Sequence, residues 1–352
     1  MDNQENLYIQ PDAQPAFVPE PDPVQVEFEN EKRDLRKRCN GIGLMVLISS
    51  TAFLFVTLVL MVAYEIFKGN LTLPANLDSI PDNIINSFAN AAVFGIFALI
   101  CIKVTKAKTT DVLVFEKVSF KKLSALVVAG FSVFMVSNLL TNLYLTNMYN
   151  LGIDLMLDIE TPVSNSFLEM LVYFVSTAVV PAFSEEILFR GVILSHLRKH
   201  GDGLAVFVSA LLFGLFHANF IQIPFAFIGG LALGFTVVYT NSMLPAILIH
   251  LFNNGYSVIS DILYTNADAI GLSETILDIF TYIFVAAVSV VGLIAVIVLS
   301  RKDKNLLKLR KYEGVLDNKT RTKMFVTSPT VIIASVYLIL ESIYTHIAVA
   351  LM

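Results

Sequence analysis

Residues 167–194 read FLEMLVYFVSTAVVPAFSEEILFRGVIL. The run exceeds the ~20 apolar residues that carry a helix across a ~30 Å hydrocarbon core, yet it holds two adjacent glutamates and an arginine. Each such charge costs about 2.5–3.5 kcal/mol at the centre of a span even on lenient insertion scales, so its presence needs a reason. The stretch is therefore read both as a membrane helix and as the place to look for chemistry. Its excess length predicts a tilted or kinked helix emerging at one face. Pro181 supplies a cause for the kink.

Comparable apolar runs flank it at 43–67, 85–103, 122–147, 203–218, 220–240, 243–263, 276–300 and 327–351. Composition agrees: 56% of the 352 residues are hydrophobic and 15% charged, against roughly 45–50% and about 25% in soluble domains. The expected fold is all-α, a polytopic transmembrane bundle of about eight to nine spans, nine by this count. Lys and Arg gather before the first run (Lys32 to Arg38), between the second and third (Lys103 to Lys122), after the fourth (Arg198, Lys199) and between the eighth and ninth (Arg301 to Lys323). With nine spans all four places fall on one side. The positive-inside bias makes that side cytoplasmic, giving a multi-pass protein of the cell membrane with its N-terminus inside and its C-terminus outside.

Four segments are expected. Residues 1–31 form an acidic, Pro- and Gln-rich tail, expected to be disordered because it has too little apolar area to offset ordering entropy, and lacking the basic and apolar regions of a signal peptide. Residues 32–164 are N-terminal membrane helices, 165–260 the core with the unusual polar residues, and 261–352 C-terminal membrane helices with a basic loop at 301–326. Cys39 and Cys101 have no CxxC spacing, which argues against a disulfide framework or a thiolate metal site. The net charge of −5 is mild, and no nucleic-acid partner is expected. No internal repeat of the inverted-transporter kind is found.

Three clusters carry candidate chemistry. Glu186 and Arg190 are four apart, share a helical face and can form an ion pair that lowers the cost of burying both. Glu185 is rotated by roughly 100° and is left over, a carboxylate suited to moving a proton. His217 closes Phe213-Gly-Leu-Phe-His217, and His250 and Asn254 share a face by their spacing. Counted at ~1.5 Å per residue from the predicted cytoplasmic ends, Glu185, His217, His250 and Asn254 lie roughly 10–21 Å deep, so three helices offer polar groups to one hydrated hollow. A carboxylate, two imidazoles and a carboxamide suit amide hydrolysis: Glu185 with His217 activates water, and His250 and Asn254 donate to the oxyanion.

Glu185, His217 and His250 are also conceivable zinc ligands with a position left open for water. There is no HExxH helix, and Asn is a poor zinc ligand, so no cofactor is expected and zinc stands as the alternative. Two readings without peptidase chemistry stay open: the polar cluster stabilises an immunity or scaffold protein, or its carboxylates relay protons in a transporter. Ser184, Glu341 and His346 are read as structural, and Gly229, Gly230 and Gly234 as sites of close helix packing.

These residues together resemble the CPBP family (CAAX protease and bacteriocin-processing, also called Abi), to which the type II CAAX prenyl endopeptidase is related. The resemblance rests on Glu-Glu-x-x-x-Arg at 185–190, Phe-x-x-x-His at 213–217 and His-x-x-x-Asn at 250–254. The flanks ILFRGVIL and GGLALGFTVVYTNSMLPAILIHLFNN agree, and the match covers about residues 165–260. It implies a glutamate-dependent intramembrane endopeptidase, long labelled a metalloprotease. Glu185 would activate water with His217, His250 and Asn254 would form the oxyanion hole, and Glu186 with Arg190 would organise the site. The implied partners are the lipid bilayer and a membrane-associated protein or peptide, of CAAX type or otherwise.

Overall fold

In a hydrocarbon medium a single segment satisfies all its backbone N–H and C=O groups only as a helix, so apolar runs of this length fold as helices. The computed structural model describes residues 22–68, 80–152, 166–306 and 308–350. Nine helices correspond to the nine apolar runs: α1 (Pro23–Lys68), α2 (Ile80–Val104), α3 (Phe120–Asn150), α4 (Phe167–His200), α5 (Asp202–Phe216), α6 (Gln222–Thr240), α7 (Leu244–Thr265), α8 (Glu274–Lys302) and α9 (Pro329–Ala350). Among the described residues the one departure toward β structure is an isolated bridge between Phe115 and Ser242.

Seven of these helices, all but α5 and α7, are long and apolar enough to cross a membrane. The protein is a multi-pass membrane protein. The two exceptions have different causes. α5 has 15 residues, a rise of ~22 Å, short of the ~30 Å core. α7 has 22 residues, but His250, Asn253, Asn254 and Asp261 dilute its apolar character.

The expected boundary of the tail at residue 31 is corrected. α1 starts at Pro23, so residues 23–31 are helical and extend the first membrane helix beyond its apolar run; proline at a first helical position lacks only an N–H that would be unpaired anyway. Residues 1–21, which hold most of the expected tail, lie outside the described residues, as do 69–79 and 153–165. The basic 301–326 segment contains a short helix, Asn318–Val326, capped by the Asp317 side chain.

Small residues set the helix contacts. A Cβ on Gly230 would lie 3.1 Å from Ala210 Cα of α5, and one on Gly229 would lie 2.0 Å from the Phe134 ring of α3, so α6 has a close neighbour on two sides. Gly43 of α1 abuts the backbone of Thr330 and Val331, where an added Cβ would meet Val331 N at 2.4 Å. That contact lays α9 along α1.

The four basic segments meet at one end of the bundle. Arg38 donates to His196 O (3.1 Å), and Asp34 pairs with both Lys199 and His200. Arg198 joins Asp202 (3.1 Å) to Asn241 (2.8 Å), and Asn241 in turn donates to Glu116 (2.6 Å). The Asp202 N–H donates to Arg310 O (3.2 Å) and Arg36 donates to Thr327 O (2.6 Å).

Candidate active site

α4 is not a regular helix. It widens into π-helical turns at Val175–Val179 and Ile187–Leu194, on either side of the paired glutamates; such turns are frequent at functional sites. Pro181 lies between them. In a regular helix residue 181 would donate to Thr177 O, which proline cannot do. The Asn254 side chain of α7 fills the gap, its Nδ2 donating to Thr177 O at 3.2 Å. Asn253 Nδ2 donates to Asn254 Oδ1 (3.1 Å), fixing the orientation of that carboxamide.

Glu186 and Arg190 form the expected pair, Nη1 to Oε1 at 2.8 Å, and both side chains are completely buried. Arg190 also donates to Gly230 O (3.3 Å) and stacks over Phe213, 4.3 Å from the ring centre. Glu186 Oε1 accepts a second hydrogen bond, from His250 Nδ1 at 3.0 Å. A carboxylate can only accept, so Nδ1 carries the proton and Nε2 is directed elsewhere. It lies 3.9 Å from Glu185 Oε2.

Glu185 has left the ion pair, as its helical phase predicts. It lines a cavity of about 190 Å³ together with His217, Asn90, Ser50 and Glu341. Asn90 Nδ2 donates to Glu185 Oε1 (3.4 Å), and Ser184 Oγ donates to Asn90 Oδ1. His217 sits just past the end of α5, where Ala218 adopts φ +45°. That left-handed turn costs an L-residue ~1–2 kcal/mol and marks the end of the helix. His217 Nδ1 donates to Phe213 O at 2.8 Å, so Nε2 is the acceptor in the neutral ring.

The structure thus draws Glu185, Glu186, Arg190 and His250 into one contact network and puts His217 on the same cavity as Glu185. Asn254 is one turn from His250 but turns its carboxamide to α4, off the cavity wall. Two residues of the cavity are not assigned to the site by the sequence. Asn90 is an uncharged polar residue within an apolar run, and a search restricted to ionisable groups passes over it. Glu341 was found by that search but set aside as structural, because His346 on the same helix does not share its face; its relevant neighbours are on other helices. Among the described residues no three His, Cys, Asp or Glu side chains are arranged to hold a metal ion. A larger cavity, about 760 Å³, lies at the basic end between α1 and α2 and contains none of these residues.

Fold and site define a polytopic helical membrane protein with a carboxylate–imidazole centre set within the bundle. Residues 167–256 match the family described as type II CAAX prenyl endopeptidase Rce1-like. The membrane-embedded CAAX protease MroQ of Staphylococcus aureus (strain USA300) is 29% identical over 146 residues, 39% of this chain and 58% of that relative's length. No solved structure matches the chain. The likeness to these membrane-embedded CAAX proteases is thus confined to the central part of the chain, and the chain spans 58% of the length of the relative it matches.

Proposed function

We propose that the chain is a glutamic-type intramembrane endopeptidase that hydrolyses a peptide bond of a membrane-associated protein or peptide. The observation that carries this reading is the shared cavity of Glu185 and His217, beside a fully buried Glu186–Arg190 pair. Water between the Glu185 carboxylate and His217 Nε2 loses a proton to Glu185 as its oxygen attacks the scissile carbonyl. The new C–O bond places negative charge on the carbonyl oxygen. His250 carries that charge by donating from Nε2 as an imidazolium that Glu186 stabilises, while Asn254, turned to Thr177 O, braces α7 against α4. Collapse breaks the C–N bond, and the proton held by Glu185 passes to the leaving amine. Glu186 and Arg190 organise the site by fixing His250 against α6.

The reading is metal-free, and no step passes through zinc. The basic end is taken as cytoplasmic, which puts the N-terminus inside and the C-terminus outside the cell membrane. MroQ's description as a CAAX protease makes prenylated CAAX-like substrates the first class to test.

The test compares purified wild-type protein with Glu185→Ala on membrane-anchored peptides, with and without chelator, alongside metal analysis of the same sample. Cleavage should fall by at least ~100-fold in the variant, the usual scale for a lost general base, and should survive chelation. Equal cleavage by both proteins removes the mechanism. Loss on chelation, restored by zinc, replaces it with the metal alternative.

A further inference from the structure

Glu341 belongs to α9, which lies outside the matched segment 167–256. It nevertheless lines the cavity that holds Glu185 and His217. The glycine contact at Gly43 lays α9 along α1. The Glu341 Oε2 is buried and has no hydrogen-bond partner among the described residues. The usual means of keeping a carboxylate inside a membrane protein is a cation beside it, and among the described residues no Lys or Arg lines the cavity. The arginine of the site, Arg190, is held by Glu186 away from that cavity. The hollow is therefore walled by two carboxylates and one imidazole, and the charge it lacks is positive.

Resting on the peptidase reading above, we propose that Glu341 sets substrate specificity by receiving an ammonium or guanidinium group beside the scissile bond. The cation is a Lys or Arg side chain or a free α-amine. In a low-dielectric cavity an unpaired carboxylate attracts such a group strongly and repels an acidic residue or a nearby C-terminal carboxylate. Cleavage by Glu185 therefore favours bonds flanked by positive charge. Glu341 is a specificity residue: it takes no part in the proton transfers.

The experiment uses short membrane-anchored peptides in liposomes, identical except for Lys, Gln or Glu beside the cleaved bond, each with a free and an acetylated N-terminus. Wild-type kcat/KM should be about tenfold higher for Lys than for Gln, and lower still for Glu. A preference that follows the free N-terminus instead assigns the cation to the α-amine. In Glu341→Gln the Lys-to-Gln ratio should fall to about one, and Glu341→Lys should favour the Glu peptide. The wild-type ratio needs no variant, so a poorly folding variant does not blunt the test. Equal wild-type kcat/KM for all three peptides, or a ratio unchanged in Glu341→Gln, overturns the assignment while leaving the peptidase reading intact. If folded wild-type protein cleaves none of the series, as Glu185→Ala does, the peptidase reading falls and this one with it.

Discussion

At the scale of single residues, the buried Glu186–Arg190 pair dominates the energetics. Both side chains have given up water entirely, so each depends on the other for compensation. Glu186→Gln leaves the guanidinium with no counter-charge, although its amide oxygen can still accept from His250; a loss of about 3–5 kcal/mol of stability is expected. A double substitution, Glu186→Gln with Arg190→Met, should be less destabilising than the single one, as read by thermal unfolding in detergent. A double variant as unstable as the single one contradicts the pairing. This pair was legible in the sequence because a spacing of four encodes it. The Asn90–Ser184 bond was not, since its partners lie 94 residues apart and neither is charged. The role of Asn254 against Thr177 O was likewise hidden, although Pro181 carries the signal: a proline inside a helix leaves a carbonyl unpaired, and some donor must come to it.

At the scale of elements, that carbonyl gives a test of how α4 and α7 are joined. Asn254→Ala should cost about 1–3 kcal/mol by stranding Thr177 O. In a Pro181→Ala background, where residue 181 regains its N–H, the same substitution should cost clearly less. A double-mutant cycle in detergent measures the difference, and additive effects would mean that Asn254 does not serve the kink. The packing of α9 on α1 has its own test. A methyl at Gly43 would strike backbone atoms of α9, which have no rotamer by which to move aside. Gly43→Ala should therefore push the two helices apart, at about 1–3 kcal/mol. Cysteines at positions 40 and 330, introduced after Cys39 and Cys101 are removed, report the contact, since Thr330 Oγ1 donates to Asn40 O at 2.8 Å. Their crosslinking yield should drop when Gly43→Ala is added. The helices themselves were visible as apolar runs. Their π-helical turns were not, because a residue count at regular helical spacing has no place for them.

At the scale of the whole molecule, the basic end binds distant parts of the chain. Tyr312, in the segment between α8 and α9, donates to Glu31 of α1. Burial and this bond to a carboxylate push the Tyr312 hydroxyl up to about 12. A phenol raised in the folded state favours its protonated form there. Its contribution to stability is complete below the unfolded value of about 10 and is lost as pH rises from there toward about 12. The difference in Tm between wild type and Tyr312→Phe should accordingly be present at pH 8 and shrink above pH 10. A difference that is flat across that window contradicts the role of the bond. The meeting of the four basic segments was foreseeable from their charge alone, whereas the helical start at Pro23 was not, because residues 23–31 are too polar to read as part of a membrane helix.

α5 stops ~8 Å short of crossing, by its 15 residues against a ~30 Å core. His217, just past its last residue, is therefore set within the thickness that the longer helices can span, not at its far edge. On the peptidase reading proposed above, a bond presented to His217 would have to be drawn into that depth.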